Sequence, residues 1–233
     1  MAASLDKGLY YESMAQQHEW DEVTNTFETG RRLKLVFDHF FKDVDLKDRE
    51  FLDGGSGGGH FSAEAVRRGA KVTSLDVGEA LLEQVAKRCD SKRVVGSILD
   101  LPFEDKSFDV VMSSEVIEHT DDPRLAISEL ARVVRPNGYI LVTSPGRLWQ
   151  PVVRAASAMN LRRYQGNENF LWPRTGANVL RRGGIKVSEV RGFNILPLFS
   201  AKFGGLLKAG DTFGTMIPGL YVNYALFGRK SAD

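Results

Sequence analysis

From about residue 50 onward, short apolar runs alternate with stretches whose apolar residues recur at helical spacing. The runs predict buried strands, and the stretches between them predict amphipathic helices. The predicted strands end at Asp53 and Asp76 and then cover residues 93–97, 108–114, 139–144, 186–191 and 221–228. The predicted helices cover residues 61–68, 78–89, 123–134 and 176–182. This alternation indicates an α/β fold with a mostly parallel, doubly wound sheet, which binds ligands at the carboxyl ends of its strands.

Two helices are predicted before the first strand, over residues 5–19 and 25–41, and we expect residues 1–45 to form a helical cap over the ligand pocket. Arg31 and Arg32 lie early in the second helix, where either could bind a carboxylate or simply face solvent. Two long connections, 146–183 and 192–219, are predicted to be substrate-lid segments because loops of this length are usually functional or disordered. The second is rich in apolar residues, which could belong to the core, line a hydrophobic pocket or contact a membrane surface.

The first strand leads into a glycine loop, Asp53 to Gly59, with five glycines in the six positions after the acid. A flexible linker is the simplest alternative, but a linker would not lie between a strand and an amphipathic helix. Glycine allows tight turns and close approach of the backbone to a ligand, and the N-terminus of the next helix attracts anions. Asp76 ends the second strand 23 residues after Asp53, where a carboxylate can hold ribose hydroxyls. The pattern predicts a nucleoside site and leaves NAD and S-adenosylmethionine (SAM) open.

Composition narrows the class of protein. The 233 residues can bury one sizeable core, so we expect one domain over residues 1–233. A net charge of +1 predicts no nucleic-acid partner, and the single cysteine, Cys89, fits a reducing compartment, so we expect a cytoplasmic protein. We expect no signal peptide and no transmembrane segment, although peripheral contact with a membrane stays open. Residues 147–191 carry nine Lys/Arg against two acids, which indicates a solvated face or a basic wall for an acidic acceptor.

Four stretches resemble, in the same order, the class I SAM-dependent methyltransferases. They are the glycine loop, Asp76 after the second strand, Leu101-Pro102-Phe103 followed by Ser107-Phe108-Asp109-Val110-Val111, and Arg135-Pro136-Asn137-Gly138-Tyr139. The resemblance implies a Rossmann-like, seven-stranded, mostly parallel sheet with helices on both faces and an antiparallel last strand between strands five and six. It also implies SAM as the cofactor and S-adenosyl-L-homocysteine as the product.

The segment Ser114-Glu115-Val116-Ile117-Glu118-His119 is similar to the one after strand four in ubiquinone-biosynthesis O-methyltransferases and in small-RNA 2′-O-methyltransferases. Both groups can bind a divalent metal there. If residues 115–119 form a helical turn, Glu115, Glu118 and His119 share one face and suit Mg²⁺, Mn²⁺ or Zn²⁺. The RNA enzymes need a further histidine downstream, and none follows His119. This absence argues against an RNA substrate. We expect a metal-free small-molecule enzyme with His119 as general base and Glu115 as a second catalytic residue, and keep the metal site as an alternative. His119 could also only cap a helix or bond a backbone carbonyl.

The resemblance also assigns cofactor contacts. It implies that Gly54, Gly55 and Gly57 approach the methionine part of SAM, and that Asp53 helps to hold its amino group. Asp76 is implied to accept both ribose hydroxyls. The other implied contacts are Val77 on the adenine, Ser97 and the backbone near Ile98 where the family usually has an acid, Ser114 beside the sulfonium, and Arg32 at the SAM carboxylate.

The predicted function is methyl transfer from SAM to a small, hydrophobic or aromatic acceptor, with oxygen as the first choice of acceptor atom. No Asn-Pro-Pro-Tyr or Asp-Pro-Pro-Tyr follows strand four, which disfavours N-methylation of amino-purines or glutamine. Two other hypotheses remain: a non-catalytic module that binds SAM or a nucleotide for a partner protein, and an NAD-dependent oxidoreductase. The Leu-Pro-Phe and Arg-Pro-Asn-Gly stretches have no place in an oxidoreductase.

Overall fold

The computed structural model describes residues 26–159, 168–194 and 214–232. The helix predicted over residues 5–19 lies outside this part of the chain. Seven strands form one sheet: β1 (Glu50–Gly54), β2 (Lys71–Asp76), β3 (Lys92–Val95), β4 (Phe108–Ser114), β5 (Val134–Pro145), β6 (Ile185–Phe193) and β7 (Asn223–Lys230). The helices are α1 (Thr26–Lys34), α2 (His60–Arg67), α3 (Glu79–Arg88), α4 (Pro123–Arg132), α5 (Gln150–Ala158) and α6 (Pro173–Arg182).

The strand order in the sheet is β3-β2-β1-β4-β5-β7-β6. The first five strands in the chain pair in parallel, whereas β7 is antiparallel to both β5 and β6. The predicted doubly wound sheet, with its last strand between strands five and six, is therefore confirmed. The carboxyl ends of β1, β2 and β4 meet at one edge, where the glycine loop, Asp76 and Glu115 lie.

Helices cover both faces of the sheet. On one face, α4 and α6 pack on the strands through Ile127, Leu130 and Leu180, all fully buried. On the other, α2 packs beside a π-helical turn, Leu35–Phe40, which continues α1. The predicted helix over 25–41 is thus present, but its last part is wound more widely. This winding accompanies the burial of Phe37, Phe40 and the following Phe41 in one core cluster.

Local signals set the helix ends as predicted. The Asp122 side chain accepts hydrogen bonds from the backbone N–H groups of Arg124 and Leu125, at 3.0 and 3.1 Å, so it caps α4. The glycine that precedes α2 and the glycine that ends it, Gly59 and Gly69, have φ angles of 80° and 86°. Glycine is favoured at such left-handed positions because it has no Cβ.

The turn predicted at residues 135–138 lies inside β5, so strand five begins earlier than predicted. The β4–β5 register shifts around it, and Asn137 has a φ of 62°. A Cβ on Gly138 would lie 2.8 Å from the Asp109 carbonyl oxygen, which explains the glycine. Arg135 then donates to the Asp109 carboxylate at 2.9 Å and holds the turn against β4.

The connection from residue 146 to 183 is partly helical. It contains the unpredicted α5, and α6 begins at Pro173 rather than near Gly176. Only Gln150 is buried in α5, so this helix has no buried apolar stripe from which periodicity could predict it.

Candidate functional site

The glycine loop is a tight turn at the carboxyl end of β1. Gly55, Gly57 and Gly59 all have positive φ angles, of 83°, 50° and 80°. The N–H groups of Gly55 and Ser56 both donate to the Leu75 carbonyl oxygen, at 2.8 and 3.0 Å, which ties the loop to β2. The conformation agrees with the predicted tight turn and excludes a free linker.

Packing within the chain requires a glycine at position 55, because a Cβ there would lie 2.4 Å from a methyl carbon of Val116. A Cβ on Gly54 would lie 3.2 Å from a methyl carbon of Leu130, a tight contact that a small shift of the leucine would relieve. The side of Gly55 that a Cβ would occupy is therefore filled by Val116, in the segment after β4, and not left open for a ligand. Contact between these two residues and SAM stays a prediction that concerns their backbone.

Asp76 is the best-placed group for a ribose. Its carboxylate accepts from the Gly57 N–H at 2.8 Å and from the Gly78 N–H at 3.3 Å, so both oxygens are fixed. A carboxylate has about four acceptor positions, so acceptor capacity remains for a hydroxyl donor beside these backbone N–H groups. Burial raises the pKa of Asp76 above its ordinary value. The next residue, Val77, is 41% exposed and offers an apolar surface beside the carboxylate.

Asp53 lies beneath the loop. Its side chain is 1% exposed and accepts from the Ser62 hydroxyl, on the first turn of α2, at 2.7 Å. Burial raises the pKa of Asp53 to about 7, and the charge of Asp76 acts in the same direction. The predicted contact with the amino group of SAM is not visible in this arrangement and stays a prediction.

The end of β3 carries no acid. The Ser97 hydroxyl accepts from the Leu99 N–H at 3.1 Å and so stabilises a local turn. The Ile98 side chain is 4% exposed and belongs to the core, which leaves its backbone as the part that could face a ligand.

Glu115 lies directly after β4 in a left-handed conformation, with a φ of 58°. Its carboxylate accepts from the Thr143 hydroxyl at 2.8 Å and from the Asn223 side-chain amide. Thr143 also bonds to Ser114, at 3.0 Å between the two hydroxyl oxygens. Burial raises the pKa of Glu115, while the positive charge of Arg32 on α1 acts in the opposite direction. The structure therefore brings together Arg32, Ser114 and Glu115, three residues that the sequence had assigned to the site.

The metal alternative assumed that residues 115–119 form one helical turn, and the left-handed conformation of Glu115 contradicts this assumption. The helical segment, a 3₁₀ turn, covers only Ile117–His119, so Glu115 does not share a helical face with Glu118 and His119. Within residues 26–159, 168–194 and 214–232, no three His, Cys, Asp or Glu side chains are placed to hold a metal ion together.

Glu118 and His119 are neighbours on this turn, with 3.8 Å between His119 Nε2 and Glu118 Oε1. Glu118 is 1% exposed, and its burial and the nearby charge of Glu115 raise its pKa well above the ordinary value. Its backbone carbonyl accepts from the Asn169 N–H at 2.7 Å, so the connection before α6 is attached to this turn.

Sequence reasoning missed a polar chain that links α1 to the site. Arg31 donates to the Asn194 side chain at 2.8 Å, and Asn194 donates to Asn223 at 3.1 Å. Asn223 in turn donates to Glu115. Asn194 directly follows β6, and Asn223 is the first residue of β7. The available signal in the sequence was a single polar residue within an otherwise apolar run.

Comparisons with known proteins relate this chain to methyltransferases. Residues 52–142 match the family described as "Methyltransferase domain". A ubiquinone biosynthesis O-methyltransferase of Marinobacter nauticus is 28% identical over 204 residues, which cover 81% of this chain and 84% of that one. The same-named protein of Hahella chejuensis is 29% identical over 195 residues, covering 78% and 82%.

Solved structures support the fold. A methyltransferase of Haloferax volcanii, in complex with the Trm112 methyltransferase activator, has a TM-score of 0.67 at 18% identity and covers 95% of this chain and 97% of its own. A SAM-dependent methyltransferase from Thermotoga maritima, described as a possible histamine N-methyltransferase, has a TM-score of 0.64 at 18% identity, covering 95% and 98%. Among the described residues, no helix has the length and apolar character needed to cross a membrane.

Proposed function

We propose that the chain is a class I SAM-dependent methyltransferase and that it methylates an oxygen atom of a small, hydrophobic or aromatic acceptor. The two relatives named above are O-methyltransferases of ubiquinone biosynthesis, which supports an oxygen acceptor. We further propose that the enzyme is cytoplasmic, with residues 1–45 as a cap and residues 146–183 and 192–219 as the segments that surround the acceptor. Residues 1–25, 160–167 and 195–213 of these segments lie outside the described part of the chain.

The residues present fit SAM. In the proposal, Asp76 accepts the ribose hydroxyls with the acceptor positions that Gly57 and Gly78 leave open. Val77 packs on the adenine with its exposed side chain. Arg32, whose charge acts on Glu115, binds the SAM carboxylate, and the glycine backbone lies along the methionine part.

SAM supplies a methyl group that is already activated by attachment to a positively charged sulfur. The remaining work of the protein is to hold the acceptor in line, to exclude water and to remove the hydroxyl proton. Correct alignment alone can contribute about 7–11 kcal/mol. We assign the proton to His119, because an imidazole ordinarily titrates near ~6.5 and can accept it at neutral pH.

The observation that carries this assignment is the position of His119 beside buried Glu118, on the turn that follows β4. Burial and the nearby charge of Glu115 raise the pKa of Glu118, so its carboxyl stays neutral over a wider pH range beside His119. Glu115 is the second catalytic residue of the proposal: fixed by Thr143 and Asn223, it can accept a hydrogen bond from the acceptor.

The test is transfer of labelled methyl from SAM to a panel of phenols and catechols and to an organic extract of source cells. His119→Ala should lower turnover by about 10²–10⁴-fold at neutral pH. With phenols as acceptors, the turnover of His119→Ala should recover at alkaline pH, because phenols then ionise without help from a base. His39→Ala, on the π-helical turn, is the matched control and should keep normal turnover. An unchanged pH profile in His119→Ala would contradict the base, and SAM binding without transfer to any acceptor would favour the non-catalytic module.

A further inference from the structure

Three segments meet beside the site and form one continuous face. They are residues 146–159, which follow β5, residues 171–182 around α6, and residues 214–222, which precede β7. The Gly146 N–H donates to the Val222 carbonyl at 2.7 Å, the Arg147 N–H to the Leu171 carbonyl at 3.3 Å, and the Trp149 indole to the Leu220 carbonyl at 3.0 Å. These bonds make the three segments one surface, which we call the arginine-apolar face.

Exposed apolar side chains are concentrated on this face. Of the ten large apolar side chains that are exposed in the described part of the chain, seven belong to it. They are Leu148, Val152, Met159, Trp172, Met216, Ile217 and Leu220, with exposed fractions between 45% and 75%. A groove of about 440 Å³ lies between the start of α6 and residues 218–219, and Trp172 and Pro218 are among its lining residues. So many exposed apolar side chains close together indicate an interaction surface, because contiguous apolar patches on monomeric proteins are normally small.

The charge of the face has one sign. The three segments carry no Asp or Glu, and their arginines near the site end are Arg147, Arg154 and Arg174. Arg181 and Arg182 lie at the far end of α6, where the next residue, Gly183, accepts from Lys230 at the end of β7. Arg174 lines the groove beside Trp172. Apolar side chains with a tryptophan, bordered by arginines and free of acids, are the composition that binds at the surface of an anionic bilayer, where the apolar side chains enter the headgroup boundary and the arginines meet the phosphates.

The face also lies at the correct end of the fold. It begins where β5 ends, at Pro145, and finishes where the antiparallel β7 starts, at Asn223. This is the same edge of the sheet as the glycine loop, Asp76 and Glu115, since parallel strands present their carboxyl ends together. Asn223 itself donates to Glu115, so the face directly adjoins the site.

We propose that the arginine-apolar face binds the surface of an anionic lipid bilayer, so that a hydrophobic acceptor reaches the site from the lipid. The part concerning the acceptor rests on the proposed function, whereas the lipid contact stands on the composition and position of the face alone.

The test is co-sedimentation of the full chain with phosphatidylcholine vesicles, with and without phosphatidylglycerol, in the absence of SAM and acceptor. Binding should require the anionic lipid and should weaken as salt rises. Each arginine near the surface is worth about 1 kcal/mol, so the pair Arg147→Gln and Arg174→Gln should weaken binding by about thirty-fold. The pair Leu148→Ser and Ile217→Ser should weaken binding at every salt concentration.

Val95→Ser and Leu125→Ser are matched controls, since these side chains are 57% and 44% exposed outside the face, and they should bind as the wild type does. Equal binding to neutral and anionic vesicles, or equal losses in the controls, would overturn the proposal. So would a concentration-dependent dimer, detected by light scattering, that the face variants abolish while vesicles are not bound, because the occupant is then a second copy. Vesicle binding that persists without methyl transfer to any acceptor would count against the proposed function and not against the face.

Discussion

Replacing Gly55 with alanine should destabilise the fold through one identifiable contact. The new methyl group would lie 2.4 and 2.5 Å from the two methyl carbons of Val116, and Gly55 has a φ of 83°. A non-glycine residue in the left-handed region costs about 1–2 kcal/mol. Overpacking at a closely packed position adds about 1–3 kcal/mol. We therefore expect Gly55→Ala to lower the free energy of unfolding by about 2–5 kcal/mol.

A double-mutant cycle with Val116→Ala separates the two causes. In the Val116→Ala background the two methyl carbons are gone and, of the three nearest contacts, the one that remains is to the Cβ of residue 116, at 3.0 Å. Most of the overlap is therefore removed, and Gly55→Ala should cost little more than the backbone contribution of about 1–2 kcal/mol. The assay is urea denaturation at equilibrium for the wild type, the two single variants and the double variant. Gly30→Ala is the control: nothing lies within 4 Å of its added Cβ, and alanine is the better helix former, so it should be neutral or stabilising.

Equal costs of Gly55→Ala in the two backgrounds would refute the packing explanation. The affinity of Gly55→Ala for SAM is a second measurement that distinguishes packing from ligand contact. If the glycine were required chiefly by the ligand, alanine would weaken SAM binding strongly and leave the free energy of unfolding almost unchanged.

Two further predictions concern stability. Burial raises the pKa of Asp53 from 3.8 to about 7, so the folded chain retains a proton that the unfolded chain has lost, and stability falls as pH rises through this window. Asp53→Asn should therefore gain up to about 4 kcal/mol relative to wild type between pH ~4 and ~8 in denaturant titrations, and a constant difference would contradict this. Arg132 donates to the Leu101 and Phe103 carbonyls and pairs with Glu129. A lysine cannot make these bonds together, so Arg132→Lys should lower the free energy of unfolding by about 2–3 kcal/mol in thermal or urea unfolding. An unchanged stability would show that the Arg132 guanidinium does not stabilise residues 101–103.

The elements that sequence reasoning predicted best are those fixed by local patterns. The buried apolar runs of β1, β2 and β4 are recognisable as strands from the sequence, and the predicted limits of β4 are those observed. The glycine loop and Asp76 were identified because turn chemistry and an acid at a strand end are both readable within a few residues.

What could not be predicted depends on contacts between distant parts of the chain. The metal alternative required Glu115 on a helical turn, but Glu115 has a left-handed backbone, and hydrogen bonds from Thr143 and Asn223 fix its carboxylate. Asn194 meets Arg31, and Asn223 meets Asn194, only because the end of β6 and the start of β7 lie beside α1, far from it in sequence. No local pattern encodes such a network, since each member contributes a single polar side chain.

The central claim is that this chain binds SAM with Asp76 as its ribose ligand. Calorimetric titration of SAM into the wild type, Asp76→Ala and the exposed-acid control Asp100→Ala tests it most directly. The account predicts saturable binding to the wild type and the control, and a loss of about tenfold or more, at least about 1.4 kcal/mol, in Asp76→Ala. Equal affinity in all three proteins, or no binding of SAM to the wild type, would contradict it.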